Sequence, residues 1–479
     1  MIPGGEVDPT GKGLKKLEEE GTILLGAPIG SSEFVAREIE HKVAKVGEIT
    51  GLLPQIEDPH TEFVLLRSCL ALPKLSFLLR CVDASDHVGL LQDFDRITRE
   101  GLTRILGLPI GDLTWQQAKL PVSMGGLGLR AAEDQAPAAY AASILSSQLL
   151  LQDLVGPRGP PRPAVALPGV DVDLEPRPTL SPRLLANLSA AQGEEATAAD
   201  LAGMTQRQMS VKIDLHQQQL LLAQVDQGNE RERARLASLS LRHAGDWLNS
   251  PPLTALGLHL RAAEFVLVVK YRLGLPVFNT EGPCPACLRP SDIMGDHALC
   301  CGTGGERISR HNNLRDAFFN TAVAAGLGPV REERFLLPGD DRRPADVLVP
   351  HWSGGRDAAM DVTVVTPLQT ATMPAAATTP GHALTYAYDR KMQGAAEDCR
   401  RQGIAFFPLV AETFGGWHST AQDQVKKLGS ALARHTGQVE GETIAHIWSR
   451  LGILLQRGNA ALLGNRVPEL PLPAIDGIE

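Results

Sequence analysis

The sequence has few of the features that mark a membrane protein or a secreted protein. It contains no run of about 18 apolar residues, which a membrane-spanning helix would need. Residues 1–21 lack the apolar core of a signal peptide. Aromatic residues make up only 4% of the chain, and its seven cysteines are too few in 479 residues for a disulfide-stabilised secreted domain. We therefore expect an intracellular protein without a membrane span.

The chain also has fewer basic residues than acidic residues. The formal net charge is −9 at pH 7. Proteins that bind nucleic acid usually carry a basic surface, so the overall charge argues against this class. The objection is weakened because only one local patch has to be basic.

The remaining composition is that of a globular protein with more than one domain. Hydrophobic residues account for 43% and charged residues for 21% of the chain. Apolar residues recur at helical spacing over 34–108, residues 156–183 are rich in proline and glycine, and β-branched runs alternate with helical segments after the last cysteine cluster. We expect a multidomain protein with a mostly α N-terminal half, a small zinc knuckle and an α/β domain. The expected divisions are a helical region over 1–155, a proline-rich linker over 156–195, a helical linker domain over 196–280, the knuckle over 281–305, the α/β domain over 306–425 and a C-terminal helical tail over 426–479.

Four of the seven cysteines lie close together, between positions 284 and 301. Cys284 and Cys287 form a C-x2-C turn, and His297 follows before the adjacent pair Cys300 and Cys301. Structural zinc sites use four thiolate or imidazole ligands in a tetrahedron. We favour Cys301 over Cys300, because the H-x3-C spacing can place both side chains on one face of a helical turn. The sequence therefore predicts a structural Zn²⁺ held by Cys284, Cys287, His297 and Cys301.

Two other interpretations of this cluster remain open. The cysteines could be free thiols buried in a core. Alternatively, the dipeptide Asp296-His297 could serve an HNH-type nuclease within a zinc-supported fold, although His297 is better used as a metal ligand.

Two aspartates stand at the edges of β-branched runs, Asp346 in PADVLVP and Asp361 in MDVTVV. A hairpin would bring them side by side, and a carboxylate in such apolar surroundings is costly unless it is paired or bound to a metal. Paired carboxylates hold Mg²⁺ or Mn²⁺ in hydrolytic sites. Thr363 stands where a lysine usually follows the second acid, so Lys391 on the next predicted helix is the candidate for this role. The alternative is a turn aspartate and a solvated lysine.

These motifs together resemble the C-terminal region of non-LTR retrotransposon proteins with a restriction-like endonuclease, as in the R-two class. The resemblance rests on CPAC, GDHALCCGTGGERISRHNNLRDAFF, RPADVLVP and MDVTVVTPL. In that class a CCHC knuckle precedes a PD-(D/E)XK nuclease whose pattern is Lys/Arg-Pro-Asp followed by a second acid. Arg343-Pro344 matches this pattern, with Ala345 inserted before Asp346. The resemblance implies a catalytic set of Asp346, Asp361 and Lys391 with Mg²⁺ or Mn²⁺.

The N-terminal half is similar to the same family. GTILLGAPIG and WQQAKLPVSMGGLGLR resemble the thumb-like helical region that follows the polymerase palm, so 1–155 is expected to be thumb-like and 196–280 a helical linker. No aromatic-Ala-Asp-Asp motif is present, so no polymerase activity is expected from this chain. The resemblance implies a nuclear protein whose partners are a DNA target, the element RNA and a polymerase-bearing half. The predicted nucleic-acid contacts are Arg307, Arg310, Arg315 and Arg343.

The sequence leaves three functions to compare. The first is strand nicking by a metal-dependent DNA endonuclease that primes reverse transcription. The second is a non-catalytic nucleic-acid-binding remnant that uses the knuckle and the thumb-like helices. The third is a structural protein that assembles through helices in 196–250. Salt-dependent binding without cleavage would favour the second, and no binding at physiological salt would favour the third.

Overall fold

A computed structural model describes residues 20–155, 180–226, 228–333 and 345–468 of the chain. Within these residues the chain divides into two compact units. The first unit contains 20–55, 65–104 and 129–220, and the second contains 56–64, 105–128 and 221–468. None of the described helices is both long and apolar enough to span a bilayer.

The described residues of the N-terminal half are mostly helical, as the periodicity of this half predicts. Ser31 caps the first long helix by accepting a hydrogen bond from the amide of Phe34. The elements in chain order are β1 Gly21–Leu24, β2 Ala27–Gly30, α1 Ser32–Leu52, α2 Pro59–Leu65, α3 Leu72–Cys81, α4 Val88–Leu106, α5 Asp112–Lys119, α6 Ala132–Val155, α7 Pro182–Gln192, α8 Ala198–Leu201, α9 Gln206–Gln224, α10 Glu230–Leu239 and α11 Ala262–Arg272.

The first unit contains two neighbouring apolar cores. One joins α1, α3 and α4 to the start of α6 and includes Ile39, Leu75 and Phe94. The other joins the middle of α6 to α7 and α9 and includes Leu188 and Ile213. The hairpin of β1 and β2 precedes these helices.

The second half adds strands to helices. Its elements are β3 Gly282–Pro283, β4 Pro290–Ser291, α12 Asp296–Cys300, α13 Glu306–Ala324, β5 Val330–Arg331, β6 Val347–Ser353, β7 Arg356–Val365, α14 Met373–Ala376, α15 His382–Lys391, α16 Glu397–Arg401, β8 Ala405–Glu412, α17 Ser419–Thr436 and α18 Glu440–Gly464. The β-branched runs PADVLVP and MDVTVV thus contribute to β6 and β7, and the apolar run IAFFPLVAE contributes to β8.

A four-stranded mixed sheet in the order β5-β6-β7-β8 forms the centre of this half. β5, β6 and β7 are antiparallel neighbours, and β8 runs parallel to β7. Alternate side chains of β7 point to opposite faces. Met360 and Val362 pack in one core with α13, α17 and α18, whereas Ala359 packs in a second core with Cys399 and Phe406.

Three predicted boundaries differ from the observed packing. Residues 426–479 were expected to form a separate tail, but α17 and α18 place Leu428, Trp448 and Leu455 in the core of the sheet. The predicted linker 156–195 includes α7, and its residues 156–179 lie outside the described part. The units separate between positions 220 and 221, inside the predicted domain 196–280.

Glu412 ends β8 with a carboxyl group that is almost completely buried. The side chain is 1% exposed and accepts a hydrogen bond from the hydroxyl of Ser238. Burial raises the pKa of Glu412 to about 7 against this hydrogen bond, which lowers it. The carboxyl group is therefore protonated in the folded protein at mildly acidic pH.

Replacing Glu412 by Gln is expected to stabilise the protein above neutral pH. The folded pKa of about 7 lies above the ordinary value of 4.5 for a glutamate. The contribution of this group to stability is therefore fully present below pH 4.5 and is lost as the pH rises through 7. Glu412→Gln should raise the free energy of unfolding by about 3 kcal/mol at pH 8 and change it little at pH 4.5. Urea denaturation followed by tryptophan fluorescence measures both values. An equal difference at both pH values would contradict the expectation.

Candidate functional site

The cysteine cluster folds into a compact site with four ligand atoms. A short hairpin of β3 and β4 supplies Cys284 and Cys287, and α12 supplies His297 with Cys301 directly after it. The Sγ atoms of Cys284, Cys287 and Cys301 and a ring nitrogen of His297 all lie within 4.8 Å of one another. This group could hold a zinc ion, which accepts thiolate and imidazole ligands at tetrahedral positions.

The turn that enters α12 requires a glycine. Gly295 has φ of +81°, and a Cβ at this position would come within 2.6 Å of Leu463 and Val277. The carboxyl oxygens of Asp292 accept hydrogen bonds from the amides of Asp296 and His297. These contacts fix the first turn of α12 and place His297 opposite Cys287, with 3.2 Å between Nε2 and Sγ.

The structure places Cys301 in the ligand group and leaves Cys300 outside it. Burial opposes ionisation of Cys301, but hydrogen bonds from Arg466 and neighbouring groups together outweigh it and lower the pKa of the thiol to about 7. Burial raises the pKa of Cys300 to about 11. Thiolates bind zinc and thiols do not, so Cys301 is the better ligand.

Asp296 is engaged in a salt bridge and not in a catalytic pair with His297. Its carboxylate accepts from Nη2 of Arg231 at 2.9 Å and from Nε of the same guanidinium. This pairing, together with the place of His297 in the ligand group, leaves no support for the HNH interpretation.

The two predicted catalytic aspartates lie on neighbouring strands. Asp361 belongs to β7, and Asp346 directly precedes β6, where its amide donates to the carbonyl of Met360. One carboxyl oxygen of Asp346 accepts from the amide of Val362 at 2.6 Å. The carboxylate of Asp346 is therefore held beside Val362, the residue that follows Asp361. The side chain of Asp346 is 14% exposed and that of Asp361 is 13% exposed.

Lys391, the candidate lysine, forms an ion pair with Asp361. Its Nζ lies 2.8 Å from Oδ2 of Asp361, at the end of α15 where the helix continues as a wider turn over Met392–Ala396. Burial raises the pKa of Asp361, Lys391 lowers it, and the negative charge of Asp346 raises it. The net rise shows that two acids share one poorly solvated site.

His311 on α13 is a site residue that the sequence reasoning missed. Its Nε2 lies 3.0 Å from Oδ1 of Asp346, on the side away from Val362. The hydrogen bond to Asp346 raises the pKa of His311, and burial lowers it. Both oxygens of Asp346 thus have a fixed partner, which holds the carboxylate in one orientation.

A surface cavity of about 370 Å³ adjoins the acid pair. It lies between the loop that follows Cys301, the end of β7 and the end of α15. Each carboxylate contacts one side chain that lines it, because Asp346 binds His311 and Asp361 binds Lys391. Lining residues also include Gly302, Gly304, Arg307 and Thr363.

The predicted nucleic-acid contacts differ in exposure. Arg307 is exposed and lines the cavity. Arg310 is 3% exposed and donates a hydrogen bond to Asn459 at 2.7 Å. It is therefore too deeply buried to be the phosphate contact that the sequence predicted. Arg315 is also largely buried and pairs with Asp316 and Glu332. Arg343 lies outside the described residues.

Comparison with models of known protein families gave no match, and no curated protein matched the sequence. The function is therefore proposed from the geometry of the site and from the sequence motifs.

Proposed function

We propose that this chain is a metal-dependent DNA endonuclease of the restriction-like type, derived from a non-LTR retrotransposon. The observation that supports the proposal best is that Asp346, directly before β6, lies beside Asp361 on the neighbouring strand β7, with Lys391 2.8 Å from Asp361. Two carboxylates and one ammonium group beside an open cavity suit hydrolysis of a phosphodiester.

The acid pair fits a divalent cation of the hard type. Mg²⁺ and Mn²⁺ prefer oxygen ligands, and carboxylates supply them. The repulsion between Asp346 and Asp361, which raises the pKa of Asp361, would be relieved by a bound cation. Such a cation supplies charge neutralisation at the phosphate and a more acidic water.

Each side chain of the site has its own proposed role. His311 and the amide of Val362 hold Asp346 in place. Lys391 is 41% exposed and can turn from Asp361 toward a phosphate oxygen, where it stabilises developing negative charge. Arg307 faces the same cavity and is placed to contact the phosphate backbone.

We further propose that the Cys/His group is a structural zinc knuckle beside the nuclease. Cys301 precedes the loop with Gly302 and Gly304, which lines the cavity, and α13 with Arg307 and His311 follows this loop. Zinc at the knuckle would therefore fix the start of the cavity wall. DNA and element RNA are the proposed partners, with a polymerase-bearing half of the element protein and a nuclear location.

Nicking of supercoiled plasmid tests the nuclease. Zinc-loaded protein is incubated with plasmid and Mn²⁺, and open-circular product is measured on a gel. We expect nicking with Mn²⁺ or Mg²⁺ and none with Ca²⁺ or without added divalent cation. A folded, zinc-loaded protein that binds DNA with steep salt dependence but never nicks it would favour the non-catalytic binding function instead.

A further inference from the structure

The cavity beside the acid pair continues into a second cavity along α15. The second cavity has a volume of about 300 Å³ and shares Arg307, Thr363, Val364 and Lys391 with the first. The two form one groove, named here the α15 groove, which passes Lys391 and follows α15 toward Tyr386.

Charge along the α15 groove has one sign. Arg307, Arg390 and Lys391 line its second part. Among the described residues no acidic side chain lines either part. This is unusual for a protein with a net charge of −9, and it complements a phosphate backbone.

An exposed aromatic ring lies in the same groove. Tyr386 is 47% exposed, and His382 and Arg390, one helical turn before and after it, are its neighbours. The ring centroid lies 6.0 Å from the guanidinium carbon of Arg390 and 6.3 Å from the ring of His382. Within the described part of the chain Arg390 has no carboxylate partner, and Tyr386 is still 47% exposed beside it and His382. A base that stacks on the ring would therefore share the ring with the guanidinium or displace it.

The spacing of these groups matches neighbouring nucleotides. Tyr386 precedes Lys391 by five residues on α15, which corresponds to about 7.5 Å along the helix axis. Successive nucleotides of one strand of duplex DNA rise by about 3.4 Å, and an unstacked single strand is more extended. A base on Tyr386 would therefore lie within about two nucleotides of a phosphate at Lys391.

We propose that the α15 groove binds an unpaired stretch of DNA next to the phosphate that is cut, with one base stacked on Tyr386 and the backbone held by Arg307 and Arg390. The proposal rests on the proposed nuclease function, whose substrate it specifies as DNA with a single-stranded segment. Aromatic rings combined with basic side chains are the usual means of holding unpaired nucleotides, since every base has a face that can stack. In an intact duplex the base faces are covered by neighbours, so Tyr386 would have nothing to bind.

Binding without cleavage tests the proposal. Zinc-loaded full-length protein is titrated, without added Mg²⁺ or Mn²⁺, into a fluorescein-labelled single strand and into a blunt duplex of the same sequence, and anisotropy is measured. Tyr386→Ala should weaken binding of the single strand by roughly 5-fold or more and leave duplex binding within about twofold. Tyr386→Phe keeps the ring and should bind as the parent does. Arg390→Gln should weaken single-strand binding, whereas Arg400→Gln, an exposed arginine outside the groove, should not.

Two results would overturn the proposal. Tyr386→Ala could bind the single strand as the parent does, or it could lose single strand and duplex equally, which would indicate a general charge effect. Failure of the nuclease is distinguishable, because a protein that shows the Tyr386 pattern but never nicks with Mn²⁺ keeps this binding site and loses the proposed reaction. A protein that nicks without the pattern keeps the reaction and loses only the groove.

Discussion

Asp361→Asn is expected to reduce plasmid nicking by at least about a thousandfold while the protein stays folded. Stabilisation by a bound cation contributes several kcal/mol to hydrolysis, and each 1.4 kcal/mol corresponds to about tenfold in rate. Asparagine has the size of aspartate but no charge, so the variant loses the anionic metal ligand and keeps the packing of the side chain. The initial rate of open-circular product with Mn²⁺, measured beside the parent protein, gives the ratio.

The structure also predicts that this variant costs no stability. Burial raises the pKa of Asp361, which means that its charge is unfavourable in the folded protein at neutral pH. Lys391, which loses its partner, is 41% exposed and can be hydrated. Thermal unfolding of Asp361→Asn should therefore occur at or slightly above the parent temperature. Asp389→Asn, an exposed change on α15, is the matched control and should nick normally. Parent-like nicking by Asp361→Asn would show that the acid pair is not the site.

The placement of Asp346 and Asp361 beside each other could be predicted because the signal is local, and their catalytic role stays a prediction. Both acids stand at the edges of β-branched runs, and these runs do form β6 and β7. Thr363 occupies the usual place of the lysine, and Lys391 on the next long helix forms an ion pair with Asp361. The hairpin of β6 and β7 brings the two acids together, and the helix α15 that follows brings Lys391 near them.

His311 could not be assigned in the same way, because its partner Asp346 is 35 positions away. A signal was nevertheless present in α13. Arg307, His311 and Arg315 recur at four-residue spacing and so lie on one face of the helix. Arg310 lies on an adjacent face with Leu314 and Ala317, which are buried. The arginines of α13 therefore do not share one face, and Arg310 is buried where the sequence predicted a phosphate contact.

The C-terminal helices show what helical periodicity cannot predict. α17 and α18 were predicted as helices, but their place in the core depends on contacts with α13 and the sheet. Helical periodicity shows that one face of a segment is apolar and does not show which element covers it. For this reason Trp448, which is 5% exposed, could not be assigned to the core from the sequence.

Replacing Cys301 is expected to cause a large loss of stability, and replacing the adjacent Cys300 is its control. Cys301→Ser removes a thiolate from the group of four ligand atoms, so we expect this variant to lose the zinc ion that we propose for the parent chain. Structural zinc contributes about 10 kcal/mol or more to the folding of small zinc domains. We therefore expect the free energy of unfolding to fall by several kcal/mol. Metal analysis of the purified protein and thermal unfolding measure the two effects.

Cys300→Ser should keep the zinc ion, because Cys300 lies outside the ligand group. The stability loss in Cys301→Ser should reach beyond the knuckle, since Ala298 and Leu299 of α12 pack against Leu462 and Leu463 of α18. α18 is in turn part of the core around the sheet. Loss of zinc from Cys300→Ser but not from Cys301→Ser would reverse the assignment, and retention of full stability without zinc would show that packing of α12 alone maintains the fold.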